Sequence, residues 1–200
     1  MPKQKEKYKI CVSGSAADNC AEGAFDKALE TGYQIAKQGA VLLTGATVGI
    51  PEWATKGAKK AKGSSIGFSP ASTKREHLGT YRLPTDNMDL IIYTGADYAG
   101  RNLILVRSAD AVIEICGRIG TLNEFTIAFE DQKPIGILME TGGITDEIKH
   151  ILKVAKRGSK NIVFDSDPKR LVKKLLQILK EEDKKLSKLN LKPRAKKEPA

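Results

Sequence analysis

Short apolar runs rich in β-branched residues recur along the chain, and between them apolar positions return every three or four residues. Alternation of this kind predicts buried strands joined by amphipathic helices. Strands are predicted at Tyr8–Val12 (YKICV), Ala40–Thr44 (AVLLT), 64–70 (SSIGFSP), Asp89–Thr94 (DLIIYT), Asp110–Ile115 (DAVIEI), Pro134–Met139 (PIGILM) and a short IVF at 162–164. Helices are predicted at Ala21–Lys37, Pro51–Lys62 and Tyr98–Ser108, from the turn CGRIGTLNEF to Asp131, at Asp146–Arg157, and from Asp167 onward. Gly39 closes the first helix, and Pro51 opens the second, where a missing N–H costs nothing. Residues 71–87 carry no clear period and read as a long loop.

Strands without polar alternation need cover on both faces, and the helices between them supply right-handed crossovers. The predicted fold is α/β: a three-layer, doubly wound, mostly parallel sheet of modified Rossmann type. Ligands of such sheets sit beyond the C-terminal strand ends. Four loops there carry glycine: 13–16 (SGSA), 44–52 (TGATVGIPE), 94–102 (TGADYAGRN) and 116–124 (CGRIGTLNE). Each runs into a helix start, whose free N–H groups and dipole favour an anion. Gly14, Ser15, Gly45, Ala46, Gly49, Gly117, Arg118, Gly120 and Thr121 are therefore the candidate phosphate-binding residues. There is no G-x-x-x-x-G-K-[ST] loop, and no G-x-G-x-x-G follows the first strand, so neither a P-loop NTPase nor a standard dinucleotide enzyme is supported.

Two side chains stand out for chemistry. Glu124 lies three residues after Thr121, which fits a helix-capping box as well as it fits an active site. Arg101, read as lying in the first turn of its helix, runs against the dipole preference for acids there, a conflict that an anionic ligand would resolve. No spacing marks a second carboxylic acid; Asp97 and Glu52 are the alternatives.

Arg101 followed by SADAVIEICGRIGTLNE (108–124) resembles the signature of the Lonely Guy (LOG) phosphoribohydrolase family, an Arg-Lys pair and then P-G-G-x-G-T-x-x-E. The wider superfamily includes molybdenum-cofactor carrier proteins and the DNA-processing protein A domain. The similarity runs over about residues 8–157 and extends to the loop at 44–58 and to GFSP at 67–70. It implies a LOG-like fold, with Arg101 and Glu124 as catalytic residues, a phosphate cradle at Gly117, Gly120 and Thr121, and a homodimer. The chain departs from the signature at Cys116 for Pro, Arg118 for Gly, Asn102 for Lys and Asn123 for Glu.

Three readings follow. The protein binds a nucleotide or other phosphorylated ligand and hydrolyses the N-glycosidic bond of a nucleoside 5′-monophosphate. Alternatively it is a non-catalytic carrier or sensor of a phosphorylated pterin (the molybdenum cofactor) or a nucleotide, with no cofactor required for catalysis. Nucleic-acid binding through basic arms is the weakest of the three. The 200 residues carry a net charge of +10, but 183–200 hold +5 of it and 1–7 hold +2. Charge runs of this kind are usually solvated tails. The expected organisation is one domain over 1–182 and a basic tail at 183–200 that frays or prolongs the last helix. No apolar stretch reaches membrane-span length and no signal-peptide core opens the chain, so a cytoplasmic location is expected. Cys11, Cys20 and Cys116 are expected to be structural thiols, without a disulfide framework or zinc site. His77 and His150 lack ligand spacing, so no metal is assigned. Trp53 reads as packing.

Overall fold

A computed structural model describes residues 6–16 and 20–189. Their elements run β1 (Lys9–Gly14), α1 (Ala24–Lys37), β2 (Val41–Thr44), α2 (Ile50–Lys60), β3 (Ser65–Ser69), α3 (Lys74–Gly79), β4 (Leu90–Tyr93), α4 (Asp97–Ser108), β5 (Ala111–Ile115), α5 (Ile119–Glu130), β6 (Ile135–Leu138), α6 (Ile144–Val154), β7 (Ile162–Asp165) and α7 (Pro168–Lys188). The strands form one seven-stranded sheet in the order β4-β3-β2-β1-β5-β6-β7. Every pairing is parallel, so the expected mostly parallel sheet is wholly parallel among the described residues. The chain winds outward from β1 in one direction and from β5 in the other. The switch point therefore lies between β1 and β5, where register pairs Ser13 with Glu114 and Gly14 with Ile115.

Side chains of a strand alternate between faces. Ile10 and Val12 of β1, with Ala111, Ile113 and Ile115 of β5, pack in a core with residues of α1, α2 and α7. Cys11 and Val112 face the other layer, with Leu105 of α4, Phe125 of α5 and Ile148 of α6. Trp53 is half-buried against Phe25, ring centroids 5.7 Å apart, in the packing role expected of it.

The structure corrects two expectations here. Residues 71–87 contain α3, whose Thr73 side chain accepts from the Glu76 N–H while Glu76 accepts from Ser72. This local cap stabilises a helix too short to show a hydrophobic period. Cys20 and Cys116 are joined by a disulfide, Cα atoms 5.6 Å apart, leaving Cys11 buried and free. Parallel pairing of β1 with β5 brings their trailing loops together across 96 residues of sequence, a proximity that cysteine spacing does not encode. At the C-terminal end, α7 continues through Lys188, past the charge boundary at 183, with Leu186 and Leu189 exposed. The rest of the basic tail and the first five residues lie outside the described residues. Among those described, no helix is long and apolar enough to cross a membrane.

Candidate ligand-binding site

Beyond the C-terminal ends of β1 and β5 opens a cavity of about 440 Å³, a size suited to a small ligand. Gly14, Ser15 and Ala16 follow β1 into its wall, and Thr47 and Val48 enter from the loop after β2. The segment Tyr81–Leu83 forms one side, Tyr98, Arg101 and Asn102 come from α4, and Arg118, Gly120, Thr121 and Glu124 come from the start of α5. A second cavity, near 360 Å³, lies at the opposite strand ends among residues such as Lys9, Asp110 and Lys133, away from the switch point.

Arg101 and Glu124 both line this cavity, though not for the local reasons their sequence neighbourhoods suggest. The helix of Arg101 begins at Asp97, so Arg101 lies beyond its first turn, and the dipole conflict inferred from sequence is removed. Burial singles it out instead. It is 5% exposed, its Nε meets no hydrogen-bond partner, and one Nη1–H reaches the Phe68 carbonyl at 3.4 Å. Gly45 accounts for its position. A Cβ on Gly45 would lie 1.7 Å from Arg101 Nη1, so the guanidinium can lie across this backbone only because the side chain is a hydrogen.

Glu124 is not a capping residue. The helix starts at Ile119, two residues before Thr121, and Glu124 turns inward at 7% exposure. The Ser13 hydroxyl donates to Glu124 Oε2. Burial pushes the Glu124 carboxyl above its ordinary range, against the opposing effects of the Arg101 charge and the Ser13 hydrogen bond. The N-terminus of α5 has no side-chain cap and no acid in its first turn, and exposed Arg118 stands at its N-cap. Free N–H groups, a helix dipole and two guanidiniums make this end of the cavity suited to an anion.

Of the residues selected from sequence, the cavity brings together Gly14, Ser15, Arg101, Arg118, Gly120, Thr121 and Glu124. Gly45, Ala46, Gly49 and Gly117 do not line it. Gly117, at φ +96, lets the turn pass against Thr121, where a Cβ would come within 2.4 Å of its hydroxyl oxygen. The loop of Gly49 docks through the Ile50 N–H on the Ser15 carbonyl at 2.9 Å. Glu52 pairs with Lys56 at 2.7 Å, Asp97 accepts from the Tyr81 hydroxyl, and neither lines the cavity. Arg107 points elsewhere, to Asp131 at 3.1 Å.

Sequence reading missed the Tyr81–Leu83 wall. The buried ring of His77 anchors it, accepting at Nδ1 from the Ser69 hydroxyl (2.8 Å) and donating from Nε2 to the Pro84 carbonyl (2.9 Å). Tyr81 and Tyr98 pack edge to face 5.5 Å apart, and the Arg101 guanidinium lies 5.9 Å from the Tyr98 ring. Arg82, at φ +52, Ala46, at +51, and Cys116, at +56, hold left-handed conformations that are uncommon for side-chain-bearing residues. Two of the four departures from the signature also meet. Asn102 Nδ2 donates to Asn123 Oδ1 at 3.0 Å, a neutral pair where the resembled signature has Lys and Glu.

Residues 7–172 match the model of the SLOG cluster4 family. An uncharacterized protein of Archaeoglobus fulgidus is 34% identical over 122 residues, which is 61% of this chain and 75% of that protein. Among solved structures, the molybdenum cofactor binding protein of the phototrophic bacterium Rippkaea orientalis superposes with a TM-score of 0.73 at 31% identity, covering 88% of this chain and 99% of that one. The molybdenum-cofactor (Moco) carrier protein of Chlamydomonas reinhardtii gives 0.72 at 28% identity, with the same two coverages.

Proposed function

The chain belongs to the SLOG cluster4 family, and from that premise we propose that its switch-point cavity binds a phosphorylated heterocycle, a nucleotide or a phosphorylated pterin, and carries it without cleaving it. The observation that carries this reading is Arg101: a buried guanidinium with an unpartnered Nε on the wall of a cavity. Together with Arg118 and the uncapped α5 N-terminus, it offers a phosphate both charge and hydrogen bonds. Tyr98, half-exposed beside Tyr81, offers the flat ring a stacking face. Two of the solved relatives are described as binding or carrying the molybdenum cofactor, and the phosphate-facing residues here fit the phosphorylated end of such a cargo.

Hydrolysis is the second reading, favoured by Glu124 beside Arg101 at the signature positions. In it Glu124 would orient the attacking water while Arg101 and the helix hold the 5′-phosphate. The neutral Asn102–Asn123 pair and Arg118 in a glycine position favour carriage over cleavage.

Calorimetric titration with AMP and with inorganic phosphate, alongside chromatography for free adenine, separates the two. Carriage predicts AMP binding without adenine release, weakened about 100-fold in Arg101→Ala, in the range of a lost charged hydrogen-bonding partner. Adenine release abolished by Glu124→Ala would establish hydrolysis. Mass spectrometry of a co-purified ligand identifies the cargo. A cytoplasmic homodimer belongs to the same proposal; α4 leaves Leu103 and Ile104 exposed, and light scattering gives the mass in solution.

A further inference from the structure

A second carboxyl group lies under the cavity where neither reading above employs it. Glu114 is the fourth residue of β5, the strand at the switch point, and is 1% exposed in a strand whose five residues are all buried. Neither of its carboxyl oxygens meets a hydrogen-bond partner. Its register partner on β1 is Ser13, whose hydroxyl donates to Glu124 on α5. Strand alternation points Ser13 and Glu114 to the same face, toward α4 and α5. Sequence reading had passed over it as one polar letter in DAVIEI.

Charge balance assigns its state. Two buried carboxyls share this space with one guanidinium, Arg101, which acts on Glu124. A second unpaired carboxylate in a dry interior is strongly disfavoured, so the group takes a proton instead. Burial, and then the charge of Glu124, raise Glu114 well above the ordinary carboxylate range, while the nearby Ser13 hydroxyl opposes this only in part. The other groups facing the pair do not change the assignment. Cys11, on the same face of β1, is held as a thiol by burial and by both glutamates, and Lys133, after α5, acts on it from the far end of the strands.

We propose that Glu114 is a protonated positioning residue whose charge state acts on the cavity through Ser13 and Glu124. With Glu114 neutral, the cavity floor holds one carboxylate against one guanidinium and remains receptive to an anion. With Glu114 ionised, it repels one. The inference rests on the anion-site reading for its effect on binding, though not for the proton itself.

Two measurements on the full chain test it. Infrared spectroscopy of the wild type at pH 7 shows the carbonyl band of a buried protonated carboxyl, and Glu114→Gln removes it. A wild type without that band, or one that persists in Glu114→Gln, overturns the proposal whatever the cavity binds. Inorganic sulfate, whose charge is constant over the range, is then titrated between pH 5 and pH 9. Wild-type affinity falls with rising pH as Glu114 ionises, by about tenfold for a new unit charge close by, and Glu114→Gln abolishes that fall. Identical profiles for the two proteins overturn the coupling. If sulfate binds neither, the anion-site reading fails and the infrared result still decides the protonation of Glu114.

Discussion

Strands β1 and β5 present Ile10, Val12, Ile113 and Ile115 to the layer of α1, α2 and α7, and present Cys11, Ser13, Val112 and Glu114 to the layer of α4, α5 and α6. The first face is apolar from end to end. On the second, apolar packing ends at Cys11 and Val112, and from Ser13 and Glu114, the penultimate strand residues, a hydroxyl, two carboxyls and a guanidinium take over. One backbone thus supports two environments. Apolar burial contributes roughly 25 cal/mol per Å² on the first, whereas ionisable groups on the second cost free energy unless paired or neutralised. Stability is concentrated where the chain has no chemistry to perform, and the destabilising groups are confined to a patch next to the cavity.

Substitutions on each face separate these roles. The largest effect is expected at the disulfide, whose two cysteines pack with the apolar face. Cys20–Cys116 closes a loop of 96 residues, so replacing both cysteines by Ser lowers stability by about 4 kcal/mol, read from denaturant unfolding. Next, Ile113→Ala on the apolar face removes about 3 kcal/mol of stability and leaves AMP affinity unchanged. The opposite pattern would show that the faces are not independent.

Glu114→Gln changes a slope instead of a level. Glu114 takes up its proton more readily folded than unfolded, so wild-type stability falls as pH rises above the unfolded value near 4.3 and until the folded value is passed. Over that window the site contributes a slope of about 1.4 kcal/mol per pH unit, which the Gln variant lacks. Urea midpoints measured from pH 4 to pH 8 converge at the acid end. Smallest is Gly45→Ala, which displaces the Arg101 guanidinium without removing its charge. It weakens AMP binding about tenfold and leaves the unfolding midpoint close to wild type.

The strands were legible because buried parallel strands are runs of apolar residues, and such runs are local. The switch-point pocket was legible because glycine loops before helices are local too, and Arg101, Arg118, Thr121 and Glu124 all came from them. What the sequence withheld depends on which distant strands become neighbours. Ser13 opens a glycine loop and Glu114 is a polar letter in an apolar run, and only β1–β5 pairing makes them a pair. The same pairing joins Cys20 to Cys116. The tyrosine wall was hidden differently: α3 is six residues long, its signal a single Thr-x-x-Glu cap in a stretch otherwise without period.

Strand order also has a consequence for how the molecule is made. The Lys9 N–H bonds to the Asp110 carboxylate across 101 positions, and the pairs that floor the cavity are as far apart in sequence. Strands β1 to β4 lie side by side in the order of their synthesis, so each can join its predecessor as it emerges from the ribosome. The central seam between β1 and β5 has to wait until more than half of the chain has been translated. Long-range pairing of this kind is slow and leaves a strand edge exposed in the meantime. Until then the inner edge of β1 stays open, and Glu114 enters the interior only when that seam closes, so the ligand site cannot be completed before β5 and α5 have been made.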